Sequence, residues 1–213
     1  MIDCLYYINL DSRTDRKEHI EKNVIPIFEK HVKNIKRFPA FDHTNYETVT
    51  QRAAGCAFSH LQVWRESIFE KFDKVLILED DFEFIVDSKT VDEVLELLNK
   101  IDYELCNLAY VATSPVYKTN LKYIYKCNAI QTASCYIANS NFLEKMIPSI
   151  KEAADNLMTN QDHHSNAIDI AWQKFQNNSK WYLTKRLGKQ LVGHSNIQNH
   201  YVDYAYAELR DSL

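Results

Sequence analysis

Three consecutive carboxylates, Glu79-Asp80-Asp81, follow directly on the aliphatic run Val75-Leu76-Ile77-Leu78. A short aliphatic run with two β-branched members predicts a buried strand, central in a parallel sheet. The acidic triplet then sits at the strand's C-terminal end, the edge at which open α/β sheets bind ligands. Period-two alternation sends Glu79 and Asp81 to one side and Asp80 to the other. Three anions so close repel one another unless a cation or hydrogen-bond donors hold them. A hard dication such as Mg²⁺ or Mn²⁺ takes carboxylate oxygens and keeps positions open for phosphate oxygens. The triplet therefore reads either as a metal–diphosphate site or as a solvated acidic loop that ends a strand.

Other residues admit the same two kinds of reading. The chain has only three glycines, Gly55, Gly188 and Gly193. That excludes GxGxxG and Walker loops, so any nucleotide must be held by side chains and metal. Asp42 follows a second predicted strand, where a carboxylate takes a ribose hydroxyl or simply makes a turn. Ser59 and His60 fall mid-helix, where the plainer role for His60 is a core histidine with a satisfied hydrogen bond. Gly188 to Ile197 reads as a loop, either ordinary surface or one that brings Lys189 and His194 to phosphate or metal. Asp169 is either a general base facing a cleft or an acid favoured near a helix start. His163 and His164 are adjacent and read as polar surface. Arg13 and Arg16 read as an exposed helix start.

The elements that must position these groups follow from pattern. Cys4 to Ile8 predicts a first strand, and a helix opens near Thr14 with Ser12 or Thr14 as N-cap. Its apolar stripe is Ile20, Val24, Ile27 and Phe28, with Pro26 kinking or ending it. Ile35 to Phe41 predicts a strand near a sheet edge because of Pro39. Ala57, Leu61, Trp64 and Ile68 share one helix face. Tyr103 to Ala112, Tyr123 to Cys127, Ala133 to Ala138 and Trp181 to Leu183 predict further strands. Asn139-Ser140-Asn141 caps a helix, with Glu144 placed for a capping box to Asn141. Tyr201 to Leu213 predicts a terminal helix.

Composition sets the outer limits. A chain of 213 residues with 46% hydrophobic content supports a packed core. The formal net charge of -4 and the lack of a long basic run argue against duplex nucleic acid as a partner. No signal peptide or bilayer-spanning run is evident, so the expectation is a soluble cytoplasmic protein. The five cysteines, an odd number without CxxC, are expected to be reduced and structural.

Taken in order, Asn9-Leu10 with Arg13 and Arg16, then Gly55-Cys56-Ala57-Phe58-Ser59-His60 with Trp64, then Val75 to Asp81, resemble glycosyltransferase family 25. That family includes bacterial lipooligosaccharide galactosyltransferases and procollagen galactosyltransferases. Later segments resemble it more loosely: Ala112 stands where the family often has Gly, and Asn141-Phe142 replaces small residues. The resemblance implies a GT-A-like α/β fold, a mixed and mostly parallel sheet with helices on both faces. It implies one domain, residues 1–213, with a nucleotide-binding half of about 1–110 and an acceptor-side half of about 111–213. It further implies a UDP-sugar donor, Mn²⁺ (or Mg²⁺) and a glycan or glycoprotein acceptor. On this reading Asp81 binds the metal, with Glu79 and His194 as further ligands. Asn9, Leu10, Arg13, Asp42, Ser59, His60, Glu79, Asp80 and Lys189 contact the donor. Asp169 is the base of an inverting transfer, with Asp162 as the alternative. Two rivals are a metal-dependent nucleotidyltransferase and a non-catalytic UDP-sugar- or carbohydrate-binding protein on the same fold.

Overall fold

The acidic triplet ends a strand, Lys74–Glu79, that lies inside an eight-stranded sheet in the computed structural model, which describes residues 1–159 and 162–203. The chain opens with β1 (Ile2–Asn9) and α1 (Thr14–His19). A π-helical turn (Ile20–Val24), α2 (Ile25–Phe28) and a 3₁₀ turn then lead to β2 (Val32–Pro39). Next come α3 (Val49–Phe69), β3 (Lys74–Glu79), β4 (Phe82–Phe84) and α4 (Ser88–Leu98). The strands β5 (Leu105–Ala112), β6 (Val116–Lys118), β7 (Ile124–Cys127) and β8 (Ile130–Asn139) precede the long α5 (Ser140–Met158). Three short helices, α6 (His163–Asn166), α7 (Ile168–Ala171) and α8 (Gln173–Gln176), lead to β9 (Trp181–Thr184). The described part ends with β10 (Gly188–Gln190), β11 (Gly193–Ser195) and β12 (His200–Val202).

The main sheet runs β2-β1-β3-β8-β5-β9-β7-β6. Its first three strands are parallel, as is the pair β5–β9. The pairs β3–β8, β8–β5, β9–β7 and β7–β6 are antiparallel. The sheet is therefore mixed but mostly antiparallel, which corrects the expectation of a mostly parallel one. The reason lies in β8, which enters between β3 and β5 and runs antiparallel to both. The neighbours β6 and β7 are joined by residues 119–123 alone, a link too short for the crossover that a parallel pair needs.

Helices cover both faces. Tyr6, Ile8, Val75 and Ile77 pack toward α3 and α5, while Leu5, Tyr7, Leu76 and Leu78 pack toward α4 and the first helical stretch. This is the alternation that an extended chain imposes on strands buried from both sides. Pro39 closes β2, which is an edge strand as expected. Ala57, Leu61 and Trp64 are buried along α3.

Three boundary expectations are corrected. Arg13, not Ser12 or Thr14, occupies the N-cap of α1, with no side-chain cap. Asn139 rather than Asn141 is the N-cap of α5; its side-chain amide donates to the Tyr103 carbonyl instead of capping. Tyr201 and Val202 lie in a β-hairpin with β11 rather than a helix, and the remainder of that predicted helix, from 204 on, lies outside the described residues. All five cysteines are free thiols, four buried and Cys56 half-buried.

Two of the three glycines are dictated by close approach. A Cβ on Gly55 would lie 2.8 Å from the Phe41 carbonyl oxygen, where the segment after β2 crosses α3. A Cβ on Gly188 would lie 2.2 Å from the ring of Phe82 and 2.4 Å from the Glu83 carbonyl. Phe82 is fully buried beside Phe28 and Phe84 and has nowhere to move. Gly188→Ala should therefore cost about 1–3 kcal/mol, the usual penalty of overpacking. That corresponds to a fall of roughly 2–12 °C in melting temperature for a chain of this size. Gly193→Ala meets nothing within 4 Å and should be near neutral. Equal melting temperatures for the two variants would refute the tight β4–β10 contact.

Candidate active site

β1 and β3 run parallel with Ile8 opposite Glu79, so their C-terminal ends meet at one edge of the sheet. There the Asn9 side-chain amide donates to Asp80 Oδ2 at 2.7 Å, and its own Oδ1 accepts from Arg37 at 2.9 Å. Arg16, on the first turn of α1, donates to Asp80 Oδ1 at 2.9 Å and Asp81 Oδ2 at 3.4 Å. Glu79 turns the other way, toward α3. Its Oε1 lies 3.2 Å from His60 Nε2 and accepts from the Cys56 thiol at 3.2 Å. The strict alternation expected for the triplet does not hold, because β3 ends at Glu79 and the next two residues form a turn into β4. Asp80 and Asp81 thus share Arg16.

These contacts set the charge states. Burial pushes the Asp81 carboxyl up to about 7, reinforced by the neighbouring Glu79 and Asp80 charges and opposed by Arg16. Burial also raises Asp80. Glu79 is held below the usual carboxylate range: burial opposes this, but the His60 hydrogen bond and charge, with Cys56 and Arg16, prevail. Asp81 Oδ1 is buried and has no hydrogen-bond partner. A buried acceptor left unpaired costs free energy unless something else binds it.

The edge opens into a pocket of about 350 Å³. Leu10, Phe41 and His43 form part of its wall near β1 and β2, and Thr132, His163 and Asp169 form part near β8. Asp169, on α7, accepts from the Thr132 backbone amide at 2.9 Å. Thr132 has φ 82°, a strained conformation for a β-branched residue. It lies where the β5–β8 register shifts, and such irregularities re-aim groups beside active sites. Burial raises the Asp169 carboxyl, with the Thr132 amide opposing. A strap of residues 195–198 completes the wall. Arg13 donates to the His194 carbonyl (3.1 Å) and Asn196 Oδ1 (2.7 Å), Arg16 to the His194 carbonyl (3.1 Å), and Arg52 to the Ile197 carbonyl (2.7 Å).

Of the residues assigned to the site from the sequence, Leu10, Ser59, Glu79, Asp80, Asp81 and Asp169 line this pocket. The rest stand elsewhere. Asn9 is buried behind Asp80 and orients it. Arg13 ties down the strap and pairs with Asp15, leaving Arg16 to face the pocket. Asp42 accepts from Thr44 in an exposed turn, while its neighbours Phe41 and His43 reach the wall. His60 is fully buried between Glu79 and the Tyr136 hydroxyl. Lys189 pairs with Glu83 across β10–β4, and alternation gives the pocket Gln190 instead. The His194 side chain is exposed; only its carbonyl serves the site. Asp162 is an exposed N-cap of α6, accepting from the His164 amide at 3.0 Å. His163, read as surface, lines the pocket, whereas His164 is exposed.

Sequence reasoning passed over Arg16, Cys56, Thr132 and Gln190 as pocket groups. Only Cys56 carried a usable signal: with His60 it stands at i, i+4 and shares a helix face. Among the described residues, Cys56, His60 and Glu79 form the one group whose ligand atoms converge, all within 4.8 Å of one another. The site thus has a general capacity for metal, but this set mixes sulfur, nitrogen and oxygen, unlike a pair of aspartates. For a hard cation the fitting feature is the orphaned Asp81 Oδ1 beside Asp80.

A mixed sheet flanked by helices, with a carboxylate-lined pocket at the ends of β1 and β3, is a GT-A-like fold. The chain belongs to glycosyltransferase family 25 (LPS biosynthesis protein), whose profile matches residues 3–206. It is 28% identical over 190 residues to a procollagen lysyl hydroxylase and glycosyltransferase of Acanthamoeba polyphaga mimivirus, covering 70% of this chain and 21% of the relative. It is 25% identical over 121 residues to human procollagen galactosyltransferase 2, covering 47% and 18%. The chain thus spans about a fifth of the length of these curated relatives. The crystal structure of a glycosyltransferase involved in the glycosylation of the major capsid of PBCV-1 superposes with a TM-score of 0.53, at 9% identity, covering 98% of this chain and 100% of that one. That likeness is one of fold. Among the described residues no helix is long and apolar enough to cross a membrane.

Proposed function

We propose that this protein transfers a sugar from a UDP-sugar to a hydroxyl of a glycan or glycoprotein acceptor, with inversion and with help from Mn²⁺ or Mg²⁺. The observation that carries the reading is the buried, unpartnered Asp81 Oδ1 in a pocket that also holds Arg16 and Asp169. Asp81, with Asp80 beside it, would hold the cation, and Asn9 keeps Asp80 oriented. When bound, the cation supplies Lewis-acid neutralisation of the departing diphosphate. Arg16 adds a fixed positive charge to the same place. Leu10 and Phe41 offer apolar surface to the nucleoside. Asp169, its carboxyl raised by burial, accepts the proton of the attacking hydroxyl. Residues up to about 110 would thus serve the nucleotide and later ones the acceptor. The likeness to procollagen galactosyltransferase 2 and the membership in a family of LPS biosynthesis proteins support a hydroxyl-bearing protein or glycan as acceptor.

Calorimetry tests the cation bridge. UDP should bind with Mn²⁺ present and lose most of its affinity in chelator, since the carboxylates otherwise repel the diphosphate. Equal affinity in both conditions would reject the bridge. A panel of UDP- and GDP-sugars, scored for slow Mn²⁺-dependent hydrolysis, identifies the donor without knowledge of the acceptor.

A further inference from the structure

We propose that Cys56, His60 and Glu79 form a second cation site in the pocket, one that takes Zn²⁺ in preference to Mn²⁺ or Mg²⁺. The i, i+4 spacing on α3 puts Cys56 and His60 over the last residue of β3. Cys56 Sγ and His60 Nε2 each lie 3.2 Å from Glu79 Oε1, and the three ligand atoms fall within 4.8 Å of one another. Zn–S of about 2.3 Å and Zn–N or Zn–O of about 2.0–2.2 Å place tetrahedral ligand atoms roughly 3.3–3.6 Å apart. The two separations from Glu79 match this spacing, and Cys56 Sγ and His60 Nε2, within 4.8 Å of each other, close on the ion by side-chain adjustment.

The surroundings have the form of a built site. His60 Nδ1 lies 2.8 Å from the Tyr136 hydroxyl, which also accepts from Trp64 Nε1 at 2.8 Å. This outer pair fixes the imidazole with Nε2 aimed at Glu79, as the partners of metal-bound histidines do. Cys56 lines the pocket, so a fourth position is open to water. Three protein ligands and one open position is the arrangement of reactive zinc sites. Thiolate and imidazole favour zinc, whereas the all-oxygen Asp80–Asp81 pair favours a hard cation. Binding balances simply. The Cys56 thiol proton leaves to solvent, Glu79 binds as carboxylate, and His60 binds as neutral imidazole with its proton on Nδ1 toward Tyr136. The inference stands on these ligands alone and holds whatever reaction the pocket performs.

Cobalt(II) is the probe for the test. Titrated into reduced, metal-free protein, one equivalent should give a thiolate-to-cobalt charge-transfer band with intense tetrahedral d–d absorption. One equivalent of Zn²⁺ should erase it, and excess Mn²⁺ or Mg²⁺ should not. Cys56→Ser should abolish the band and weaken zinc binding by at least about 100-fold, more than the loss of an outer-shell partner. Asp81→Asn should keep the band, because the two sites are separate. No band at stoichiometric cobalt, a band that survives Cys56→Ser, or one lost in Asp81→Asn overturns the proposal. If Cys56→Ser fails to fold, zinc-edge X-ray absorption of the wild type decides: one sulfur among nitrogen and oxygen ligands supports the site, and none or two refutes it.

Discussion

Asp81→Asn is expected to abolish Mn²⁺-dependent UDP binding while making the metal-free protein more stable above neutral pH. The first effect follows from the ligand. An amide oxygen is a poor partner for a hard dication, and even outer-shell losses at metal sites cost 10–100-fold, so affinity should fall by at least about 100-fold. The second effect follows from burial. Asp81 is raised from an ordinary 3.8 to about 7 in the folded state. The neutral acid is thus the form the fold favours. Its stabilising contribution is complete below pH 3.8 and is lost as pH rises through about 7. Asparagine stays neutral throughout. In chelator the variant should therefore melt above wild type at pH 8, with the gap closing toward pH 5. Added Mn²⁺ should raise the wild-type melting temperature at pH 8 and leave the variant unchanged. A variant that melts below wild type at pH 8 without metal would contradict the cost of the buried carboxylate with its unpartnered Oδ1, and retained Mn²⁺-dependent UDP binding would remove Asp81 from the cation site.

Asp169→Asn should show the complementary pattern. Donor affinity survives, because the residue lies on the wall near β8 and not in the Asp80–Asp81–Arg16 cluster. Transfer to an acceptor should fall by roughly 10²–10⁴-fold, the usual worth of a positioned base. Asn retains an oxygen for the Thr132 amide, so the strained residue in β8 keeps its partner. Asp162→Asn provides the contrast. Asp162 is an exposed N-cap, and Asn caps as well as Asp, so neither stability nor turnover should change. Single-turnover rates with a common donor, after matched melting curves, check all three proteins. If Asp169→Asn transfers at the wild-type rate, Asp169 is not the base. If Asp162→Asn is the slow variant, the roles of the two aspartates exchange.

What could be read in the sequence was local. The aliphatic run before Glu79 marks its own strand, Pro39 marks an edge, and the alternating core residues of β1 and β3 require cover on both faces. The antiparallel majority of the sheet could not be read, because direction is decided by β8 entering between β3 and β5, a pairing set by distant residues. Single-residue phase was equally hidden. Since α1 begins at Thr14, Arg13 falls outside its first turn and Arg16 inside it, and only Arg16 reaches Asp80. In β10 the same one-residue choice gives the pocket Gln190 and not Lys189. The triplet's chemistry was legible from composition; which carboxylate turned toward α3 depended on where β3 stopped.

The strap along the pocket is held mainly through the oxygens of its backbone. Arg13, Arg16 and Arg52 all reach carbonyls of His194 or Ile197, and Asn196 is the only strap side chain they use. Every residue type offers the same carbonyl, so these hydrogen bonds are indifferent to what stands at 194, while Ile197 also packs its side chain against the core. Gln198, which faces the pocket, can then vary without releasing the wall it belongs to, whereas Ser195 holds the turn itself, its Oγ accepting from the Gln198 backbone amide at 3.2 Å. Attachment and selectivity are uncoupled at 198, and a laboratory library randomised there would sample new specificities at little cost to folding.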